Sequence, residues 1–595
     1  MPNFWDDQKA AEKQMRKVKE LHYWIDSYED IEKMVNELKL GFDFVKEGLV
    51  TEQELDEMYQ KTIERFEDVE LRNMLRREED KLGAVLKINS GAGGTETVTI
   101  SMPVEQMASY DAQKYYTSTG SYVLEAGEYQ ISLRTDSHTV KDNLTMTCNV
   151  AENEVFQDSA FGSGVENCKY VGKRSSDEVV ATNQFDDAAG DVAYLNRDTW
   201  QIVPGTSKEA TAEQLEAFNN ALLVDDSYVN ADDTAPTFGA KNGLTLKDME
   251  GLAYDDAQWD KLLDQLTLDD MYKLLGADGW GSAAVDNIGK GQTYEMDGPA
   301  ALSYVFDAFM GTCTYKTVTY PAEVLLAATW NVDLASEFGD AISQEGKAWN
   351  ISGWYAPGAN THRNAFAGRN FEYYSEDGFL SGSMSAATVG AAEKNGMYCY
   401  IKHFALNERE TWRHYGLCTW ADEQAMREIY FVPFEKAVKE GGSTAVMSSY
   451  NNIGTTWAGA STALLTNVLR NEWGFIGTVI TDNNEEHGFM DIEKAVLAGG
   501  TSLLFGWGTK TFDNLSQTAT GQLKMREAAH QYLYTLANSY GVDVDAPVPM
   551  WRTPALVGSV IVYVLVLAGV VVILRRRKYN KMLANTNAGA DVSKA

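Results

Sequence analysis

The chain has 595 residues, 44% of them hydrophobic, with 86 acidic side chains against 51 basic ones and a net charge of −35. This length predicts about four domains, and the apolar content is typical of a globular protein with a buried core. The electrostatic field of so negative a protein repels the phosphate backbones of nucleic acids, so we expect no nucleic-acid partner. The five cysteines are scattered without a CxxC pair, which predicts neither a disulfide framework nor a zinc site.

Residues 1–96 predict a helical hairpin. Apolar residues recur at helical spacing between residues 31 and 38, and Thr51 followed by Glu54 forms a capping box at the start of a second long helix. The strings PNFWDDQKAAEKQMRKVKEL and AVLKINSGAGGTE resemble the N-terminal region of bacterial peptide chain release factor 2. The Gly-Gly-Gln and Ser-Pro-Phe strings of that family are absent from the sequence, so the resemblance implies no termination activity.

The periodicity changes from helical to alternating at Thr97. Residues 97–150 predict strands of a half-buried sheet, and the strings TVTISMPVEQMASYD and YVLEAGEYQISLRTDSH resemble the end of the fibronectin-III-like domain of family 3 glycoside hydrolases. A complete sandwich needs about seven strands, so we expect a truncated one. Residues 151–255 are an acidic connector without EF-hand spacing, which predicts solvated loop acids rather than a metal site.

Residues 256–540 alternate short apolar runs with amphipathic helices. Such a repeating βα unit predicts a parallel sheet, and over this length a (β/α)8 TIM-type barrel. The predicted strands are Thr317–Tyr320, Gly353–Ala356, Tyr398–Lys402, Thr444–Ser448, Gly477–Thr481 and Thr501–Leu504.

Several of these strands end in polar residues. Lys402 and His403 follow YCYI, Tyr450 follows TAVMSS, and Asp482 follows GTVIT. The carboxyl ends of barrel strands meet at one rim, so these side chains predict a convergent pocket there.

Residues 355–377 combine guanidinium, carboxylate and aromatic groups after a Pro-Gly turn, a composition that suits sugar hydroxyls and ring faces. Their sequence, YAPGANTHRNAFAGRNFEYYSED, resembles the signature of glycoside hydrolase family 3, the β-glucosidase and β-xylosidase family. The resemblance implies a retaining glycosidase without metal or organic cofactor, in which Asp482 is the nucleophile. It also implies the substrate-binding residues Asp297, Arg363, Arg369, Lys402, His403 and Tyr450, with Trp354 or Trp412 as stacking faces.

The general acid is the weakest part of this assignment. In the β-glucosidase branch of the family the acid lies on an α/β sandwich domain, which this sequence lacks. Glu485 and Glu486 lie near the nucleophile in sequence, but exposed loop acids are the simpler interpretation. Asn483 also follows Asp482 where many relatives have Trp. Loss of general acid catalysis lowers a rate by about 10²–10⁴-fold.

Residues 555–574 carry no charge and are long enough to cross about 30 Å of hydrocarbon, and four basic residues follow at Arg575–Lys578. This pattern predicts a linker at 541–554, one transmembrane helix at 555–574 and a basic cytoplasmic tail at 575–595, with an extracytoplasmic barrel. The N-terminus nevertheless lacks the apolar core of a signal peptide.

A chimera accounts for that conflict: the front of a release factor joined to the back of a family 3 enzyme whose barrel comes last. The export signal and the α/β domain would then lie upstream of residue 97 and be lost. We expect an α/β fold with the truncated sandwich, the hairpin and the membrane helix. The expected function is hydrolysis of terminal β-linked glucosyl or xylosyl residues of an oligosaccharide or β-glucoside. The alternatives are a membrane-anchored carbohydrate-binding pseudoenzyme and a ribosome-associated release factor remnant.

Overall fold

The computed structural model describes residues 27–28, 30–42, 44–45, 50–74, 83–89, 97–134, 139–157, 159, 181–190, 194, 209–221, 226–276, 279–304, 307, 314–484, 488–504, 509–542 and 552–591. The chain divides into two compact units, Met1–Met107 and Ala108–Ala595. Each unit is described by itself.

The first unit contains helices and one strand pair. Residues 30–42 are helical, and helix α1 spans Glu52–Met74. The predicted capping box is present: the backbone N–H of Glu54 donates to Thr51 Oγ1 at 3.2 Å, and the N–H of Thr51 donates to Glu54 Oε2 at 2.9 Å. Strands β1, Gly83–Asn89, and β2, Thr97–Pro103, pair antiparallel. This ladder crosses the predicted seam at residue 96.

The second unit begins with five short strands in two small antiparallel sheets. Strands β3, Ser109–Tyr110, β4, Tyr122–Leu124, and β7, Glu154–Phe156, form one sheet. Strands β5, Gly127–Arg134, and β6, Val140–Val150, form a separate hairpin. Neither sheet has the strand number of a complete sandwich, and the truncated fibronectin-III-like domain stays a prediction.

The centre of the second unit is a parallel sheet in the order β15-β12-β10-β9-β8. Its strands are β8, Glu295–Met296, β9, Gly353–Trp354, β10, Tyr398–Phe404, β12, Ala445–Ser448, and β15, Thr478–Ile480. A further three-stranded sheet is formed by β11, Cys418–Thr419, β13, Asn452–Ile453, and β14, Thr456–Trp457.

The second unit contains eleven described α-helices, several of which connect the parallel strands. Their bounds are α2, Ala212–Asn220, α3, Ala257–Leu263, α4, Leu268–Gly276, α5, Glu323–Ala327, α6, Val332–Ala348, α7, Gly378–Lys394, α8, Glu423–Ala425, α9, Val432–Lys439, α10, Ile492–Ala498, α11, Ala519–Ala537, and α12, Arg552–Asp591. Two π-helical segments, Met426–Tyr430 and Ala463–Glu472, lie among them.

The sheet is buried on both faces, as parallel sheets covered by helices are. In β10, Cys399 and Ile401 enter one apolar cluster, whereas Tyr398 and Tyr400 enter the other. The hydroxyls of Tyr398 and Tyr400 donate to Oε1 of the buried Glu295 at 2.7 and 3.1 Å, and Tyr355 donates to its second oxygen. These hydrogen bonds satisfy the Glu295 carboxyl group, whose pKa is raised by burial.

In the described residues the central parallel sheet has five strands rather than the eight of the predicted barrel. The predicted strand at Thr317–Tyr320 makes one antiparallel bridge, Ala301↔Thr319, and that at Thr501–Leu504 makes one parallel bridge, Ile480↔Ser502. At the second place the Thr501 hydroxyl itself binds both the N–H and the C=O of Val479, at 2.9 and 3.0 Å. The Thr501 side chain therefore forms hydrogen bonds with backbone groups that would pair with another strand in a longer ladder.

The predicted transmembrane helix at residues 555–574 is wrong. Among the residues that the structure describes, no helix has both the length and the apolar character that crossing a membrane requires. The apolar stretch belongs to helix α12, which continues without a break through the basic cluster Arg575–Lys578 to Asp591. The extracytoplasmic position of the barrel stays an untested prediction.

A buried ionic cluster joins three parts of the second unit. Arg427, on a π-helical segment, is 2% exposed; its Nε donates to Glu423 Oε1 at 2.9 Å and its Nη1 to Glu472 Oε2 at 2.7 Å. Its Nη2 also donates to the carbonyl of Thr182 at 2.9 Å. The guanidinium lies over the ring of Tyr110, 4.6 Å from its centroid, so it also attaches the small β-sheet.

We expect Arg427→Ala to lower the free energy of unfolding by about 3–5 kcal/mol, because it leaves two buried carboxylates without their cation. Urea unfolding followed by tryptophan fluorescence measures the change. In the control Lys524→Ala, an exposed ion pair with Glu527 is lost, and we expect a change of about 1 kcal/mol or less. Equal effects of the two substitutions would contradict the role given to Arg427.

Candidate active site

The polar strand ends meet at one edge of the parallel sheet. Asp297 follows β8, Lys402 and His403 lie at the end of β10, Tyr450 follows β12 and Asp482 follows β15. Because the strands are parallel, their carboxyl ends lie at the same edge. The backbone N–H of Asp482 donates to the Ser448 carbonyl at 3.1 Å, which holds the last two strand ends together.

A buried ammonium group lies between two carboxylates. Lys402 Nζ donates to Asp297 Oδ1 at 2.8 Å and lies 3.6 Å from Glu372 Oε2, with the Lys402 side chain only 4% exposed. Burial alone would lower the pKa of Lys402, but the charges of Asp297 and Glu372 raise it above its ordinary value. Burial would likewise raise the pKa of both carboxyls, but the Lys402 charge lowers them. All three groups are therefore ionised at neutral pH.

Arg369 extends this cluster towards the rim. Its Nε donates to Glu372 Oε1, and its Nη1 lies 3.9 Å from Glu410 Oε1. Arg369 is held by the 3-10 turn Asn370–Glu372, which starts directly after it. The guanidinium and the two carboxylates that it contacts supply the donors and acceptors that neutral hydroxyl groups require.

The Asp482 carboxylate is 11% exposed and faces two cationic or potentially cationic groups. Its Oδ2 lies 3.5 Å from Arg413 Nη1 and 3.7 Å from His403 Nε2, and its Oδ1 accepts the backbone N–H of Asn483 at 2.8 Å. Burial raises the pKa of Asp482, while the charges of Arg413 and Arg369 oppose that rise. The site therefore holds a nearly buried carboxylate, and its guanidinium neighbours stabilise the ionised form.

His403 is neutral in this arrangement. Burial and the charges of Arg369 and Lys402 hold the pKa of His403 well below its ordinary value. Its Nδ1 lies 3.2 Å from the Tyr373 hydroxyl. When that hydroxyl donates to Nδ1, the remaining ring proton is on Nε2 and points towards Asp482.

Tyr450 contacts the backbone beside Asp482 and also contacts Arg413. Its hydroxyl donates to the carbonyl of Asn483, the residue after Asp482. Its ring is covered by the Arg413 guanidinium, 4.7 Å from the centroid, and by the His414 ring at 4.5 Å. Tyr450 thus fixes the backbone beside Asp482 and provides a surface on which Arg413 lies.

Most of the predicted site residues come together, and one does not. Asp297, Arg369, Lys402, His403, Tyr450 and Asp482 form one connected set. Arg363 is exposed, and its charge acts on Glu408 rather than on that set. Of the two predicted stacking faces, Trp354 is fully buried and Trp412 is 65% exposed. Glu485 and Glu486 lie outside the described residues.

Three functional residues were not predicted from the sequence: Glu372, Glu410 and Arg413. Arg413 Nε donates to Glu410 Oε2 at 2.8 Å while its Nη1 approaches Asp482. The string NERETWRHY after β10 carries Glu410 and Arg413 three residues apart. That spacing predicts an ion pair between Glu410 and Arg413. It does not indicate that Arg413 also approaches Asp482, which lies at the end of another strand.

Comparison with protein families shows what this part of the chain is similar to. The family described as Glycosyl hydrolase family 3 N terminal domain matches residues 291–519. Residues 291–519 are a family 3 glycosyl hydrolase domain. This range contains every residue of the connected set. The family described as PCRF domain matches residues 1–165, which confirms the release factor resemblance of the N-terminal region. That match extends past residue 96, so the exact seam stays a prediction.

Relatives of the family 3 domain include β-glucosidases. A beta-glucosidase from Rhizobium radiobacter is 39% identical over 224 residues, which are 38% of this chain and 27% of that protein. Beta-glucosidase A from Butyrivibrio fibrisolvens is 31% identical over 440 residues, 70% of this chain and 49% of its own. The chain therefore spans between about a quarter and a half of the length of these relatives.

A solved structure agrees with this fold. The crystal structure of a beta-glucosidase from Paenibacillus barengoltzii superposes with a TM-score of 0.56 at 25% sequence identity, covering 77% of this chain and 49% of the other. The similarity extends beyond residues 291–519, and it supports the mixed α/β architecture.

The Lys402 cluster makes a prediction about stability. Asp297 and Glu372 have lowered pKa values, so the stability that they contribute is present above about pH 4 and is lost as the pH falls through their folded-state pKa values. We expect Lys402→Met to lower the free energy of unfolding by about 3 kcal/mol at pH 7. Most of this loss arises at Glu372, 5% exposed, because Asp297 is 40% exposed.

Urea unfolding at pH 7 and at pH 4 tests this expectation. The loss caused by Lys402→Met shrinks at pH 4, because the carboxyls of Asp297 and Glu372 take up protons more readily once the Lys402 charge is gone. Lys273→Met, which removes an exposed pair with Asp269, serves as the control with no measurable change at either pH. A loss that is independent of pH would show that Lys402 acts only through packing.

Proposed function

We propose that the family 3 domain hydrolyses terminal β-linked glucosyl residues with retention of anomeric configuration, and that Asp482 is the nucleophile. The observation that carries this proposal is the position of Asp482. It is a nearly buried carboxylate between Arg413 and His403, on the same sheet edge as the Asp297–Lys402 pair. The β-glucosidase relatives support the substrate class. A xylosyl residue, which lacks the hydroxymethyl group, is the second sugar to test.

The neutral sugar is held by paired charges. Asp297 and Glu372 accept hydrogen bonds from hydroxyls, whereas Lys402 and Arg369 donate to them. Each charge already has an oppositely charged partner at 2.8 to 3.9 Å. The charges therefore stay compensated when a neutral sugar displaces solvent. Charge-assisted hydrogen bonds of this kind are roughly twice as strong as neutral ones.

Asp482 attacks the anomeric carbon while the leaving group departs from the opposite face, and a glycosyl-enzyme ester forms. Water then hydrolyses the ester with a second inversion. Neutral His403 can donate a hydrogen bond from its Nε2–H group to the carboxylate or to the sugar, and it adds no positive charge to the site. Arg413 stabilises the ionised Asp482 before attack and again after the ester is cleaved.

The general acid is not assigned to a described residue. Glu410 is the carboxyl that shares Arg413 with Asp482, and burial raises its pKa while Arg369 and Arg413 lower it. Its hydrogen bond to the Arg413 guanidinium stabilises the ionised form, which has no proton to donate. We therefore expect substrates whose leaving groups need no protonation to be the best ones for this chain.

Covalent trapping tests the nucleophile directly. Incubation with 2-deoxy-2-fluoro-β-glucosyl fluoride forms a long-lived glycosyl ester, because fluoride departs without a strong acid and the 2-fluoro group slows hydrolysis. We expect mass spectrometry to show one adduct on the Asp482 peptide and none for Asp482→Asn. Absence of an adduct with both glucosyl and xylosyl probes, on folded protein, would reject hydrolysis and favour sugar binding alone.

The pH dependence tests the role of Arg413. Activity requires ionised Asp482, so kcat/KM falls as the pH drops through its pKa. Arg413→Ala removes a charge that lowers this pKa, and we expect the acidic limb of kcat/KM for glucosyl fluoride to move to higher pH by about one unit. In the control Arg409→Ala, which changes an exposed arginine of the same loop, the limb stays in place. An unshifted limb in Arg413→Ala would contradict the proposed role.

A further inference from the structure

A cavity of about 210 Å³ lies at the amino-terminal edge of the parallel sheet, opposite the candidate active site. Arg470 lines the cavity, and its Nη1 donates to the Gly477 carbonyl at 3.2 Å, directly before β15 begins. Asp482 follows the other end of the same strand. Because a strand rises about 3.3 Å per residue, Gly477 and Asp482 lie roughly 16 Å apart. The cavity is therefore separate from the site that holds Asp482.

Backbone carbonyls hold the Arg470 guanidinium at the wall of the cavity. Its Nε donates to the Gly499 carbonyl at 2.8 Å, and its Nη1 donates to the carbonyls of Gly477 at 3.2 Å and Phe475 at 3.4 Å. Gly499 has a φ of 106°, and a Cβ there would lie only 2.8 Å from Thr466 Oγ1. A glycine is therefore required for this close approach. All of these acceptors are neutral, so none compensates the guanidinium charge.

The Arg470 guanidinium lacks an anionic partner. Among the described residues no carboxylate pairs with it, and its Nη2 atom is buried without a hydrogen-bond partner. Burial lowers the pKa of Arg470 to about 10, so the group is still charged at neutral pH. Arg369, Arg413 and Arg427 each contact a carboxylate. Because an uncompensated charge is costly to bury, a bound anion would supply what Arg470 lacks.

The other charged groups at the cavity limit the charge of that anion. Lys524 and Glu527 of helix α11 also line the cavity, with Lys524 Nζ 3.0 Å from Glu527 Oε2 and side-chain exposures of 43% and 51%. Together with Arg470 they sum to one positive charge, in a chain whose net charge is −35. A carboxylate is a monoanion at neutral pH, whereas a phosphate monoester carries about −1.5 to −2 charges. The local charge therefore matches one carboxylate better than a phosphate.

Apolar side chains form another part of the wall. Phe475, Ile476 and Val496 line the cavity, and the Arg470 guanidinium lies 5.5 Å from the centroid of the Phe475 ring. We propose that the cavity binds a small carboxylate with an apolar body. Arg470 and Lys524 bind the carboxylate group, and the apolar wall contacts the body. Drug-sized ligands fill about 300–1,000 Å³, so this ligand is smaller, on the scale of an acid with one ring.

The probe 4-fluorobenzoate tests the site in the full chain, with fluorine NMR as the measure of binding. We expect it to bind at least about 10-fold more tightly than the uncharged 4-fluorobenzamide, because hydrogen bonds to a charged group are the stronger ones. Glu527→Gln removes the negative charge of the wall and should tighten binding of the probe about 3- to 5-fold, whereas Lys524→Gln should weaken it by a similar factor. Opposite effects of this kind would not arise if the two residues had only a structural role.

Arg470→Gln removes the main donor, and we expect it to abolish measurable binding of the probe. Because it also breaks three hydrogen bonds to backbone carbonyls, circular dichroism checks that this variant is folded. If it is not, the substitutions of the partly exposed Lys524 and Glu527 decide the test.

Asp269→Asn and Lys273→Gln are the matched controls, because these two residues form an exposed ion pair on α4 and do not line the cavity. Both should leave the affinity for the probe unchanged. Arg413→Ala tests for binding at the candidate active site instead, and it should also leave the affinity unchanged. The inference is overturned if the wild-type chain does not bind 4-fluorobenzoate, if it binds inorganic phosphate more tightly, or if Arg413→Ala weakens binding while Glu527→Gln has no effect.

Discussion

The buried ammonium group of Lys402 is the interaction on which the site depends. An isolated charge at 4% exposure would be strongly unfavourable, and the site exists because Asp297 and Glu372 compensate it from two sides. Those two carboxylates come from different parts of the chain, one from the end of β8 and one from the loop that follows β9. One side chain at the end of β10 therefore fixes two distant segments relative to one another.

The remaining charges continue outward from this group with alternating sign. Glu372 binds Arg369, Arg369 approaches Glu410, Glu410 binds Arg413, and Arg413 approaches Asp482. Each charged group lowers the free-energy cost of burying the next, so Asp482 is coupled electrostatically to Lys402, which it does not contact. Such networks respond as units, and single substitutions within them are not expected to have additive effects.

The sequence predicted the residues that strand periodicity places at one edge. Lys402, His403, Tyr450 and Asp482 each follow or end a predicted apolar strand, so a parallel arrangement brings them together. Asp297 was predicted from the family resemblance alone. Arg413 and Glu410 belong to a loop whose path is set by contacts with Tyr450 and Asn452, and no periodic pattern encodes that path. Arg363 shares the signature loop with Arg369 but faces solvent, because neighbours in a loop have no fixed side-chain direction. The transmembrane prediction was based on the charge-free segment and the basic residues after it, but among the described residues no helix is both long and apolar enough to cross a membrane.

The strand pair of the first unit has a consequence for dividing the chain into pieces. β1 lies before the predicted seam at residue 96 and β2 lies after it, yet seven consecutive residue pairs join them. A cut at the predicted seam would leave each fragment with an open hydrogen-bonding edge, and such edges promote self-association. The division between the two compact units lies instead after Met107, so both strands of the pair stay in the same unit.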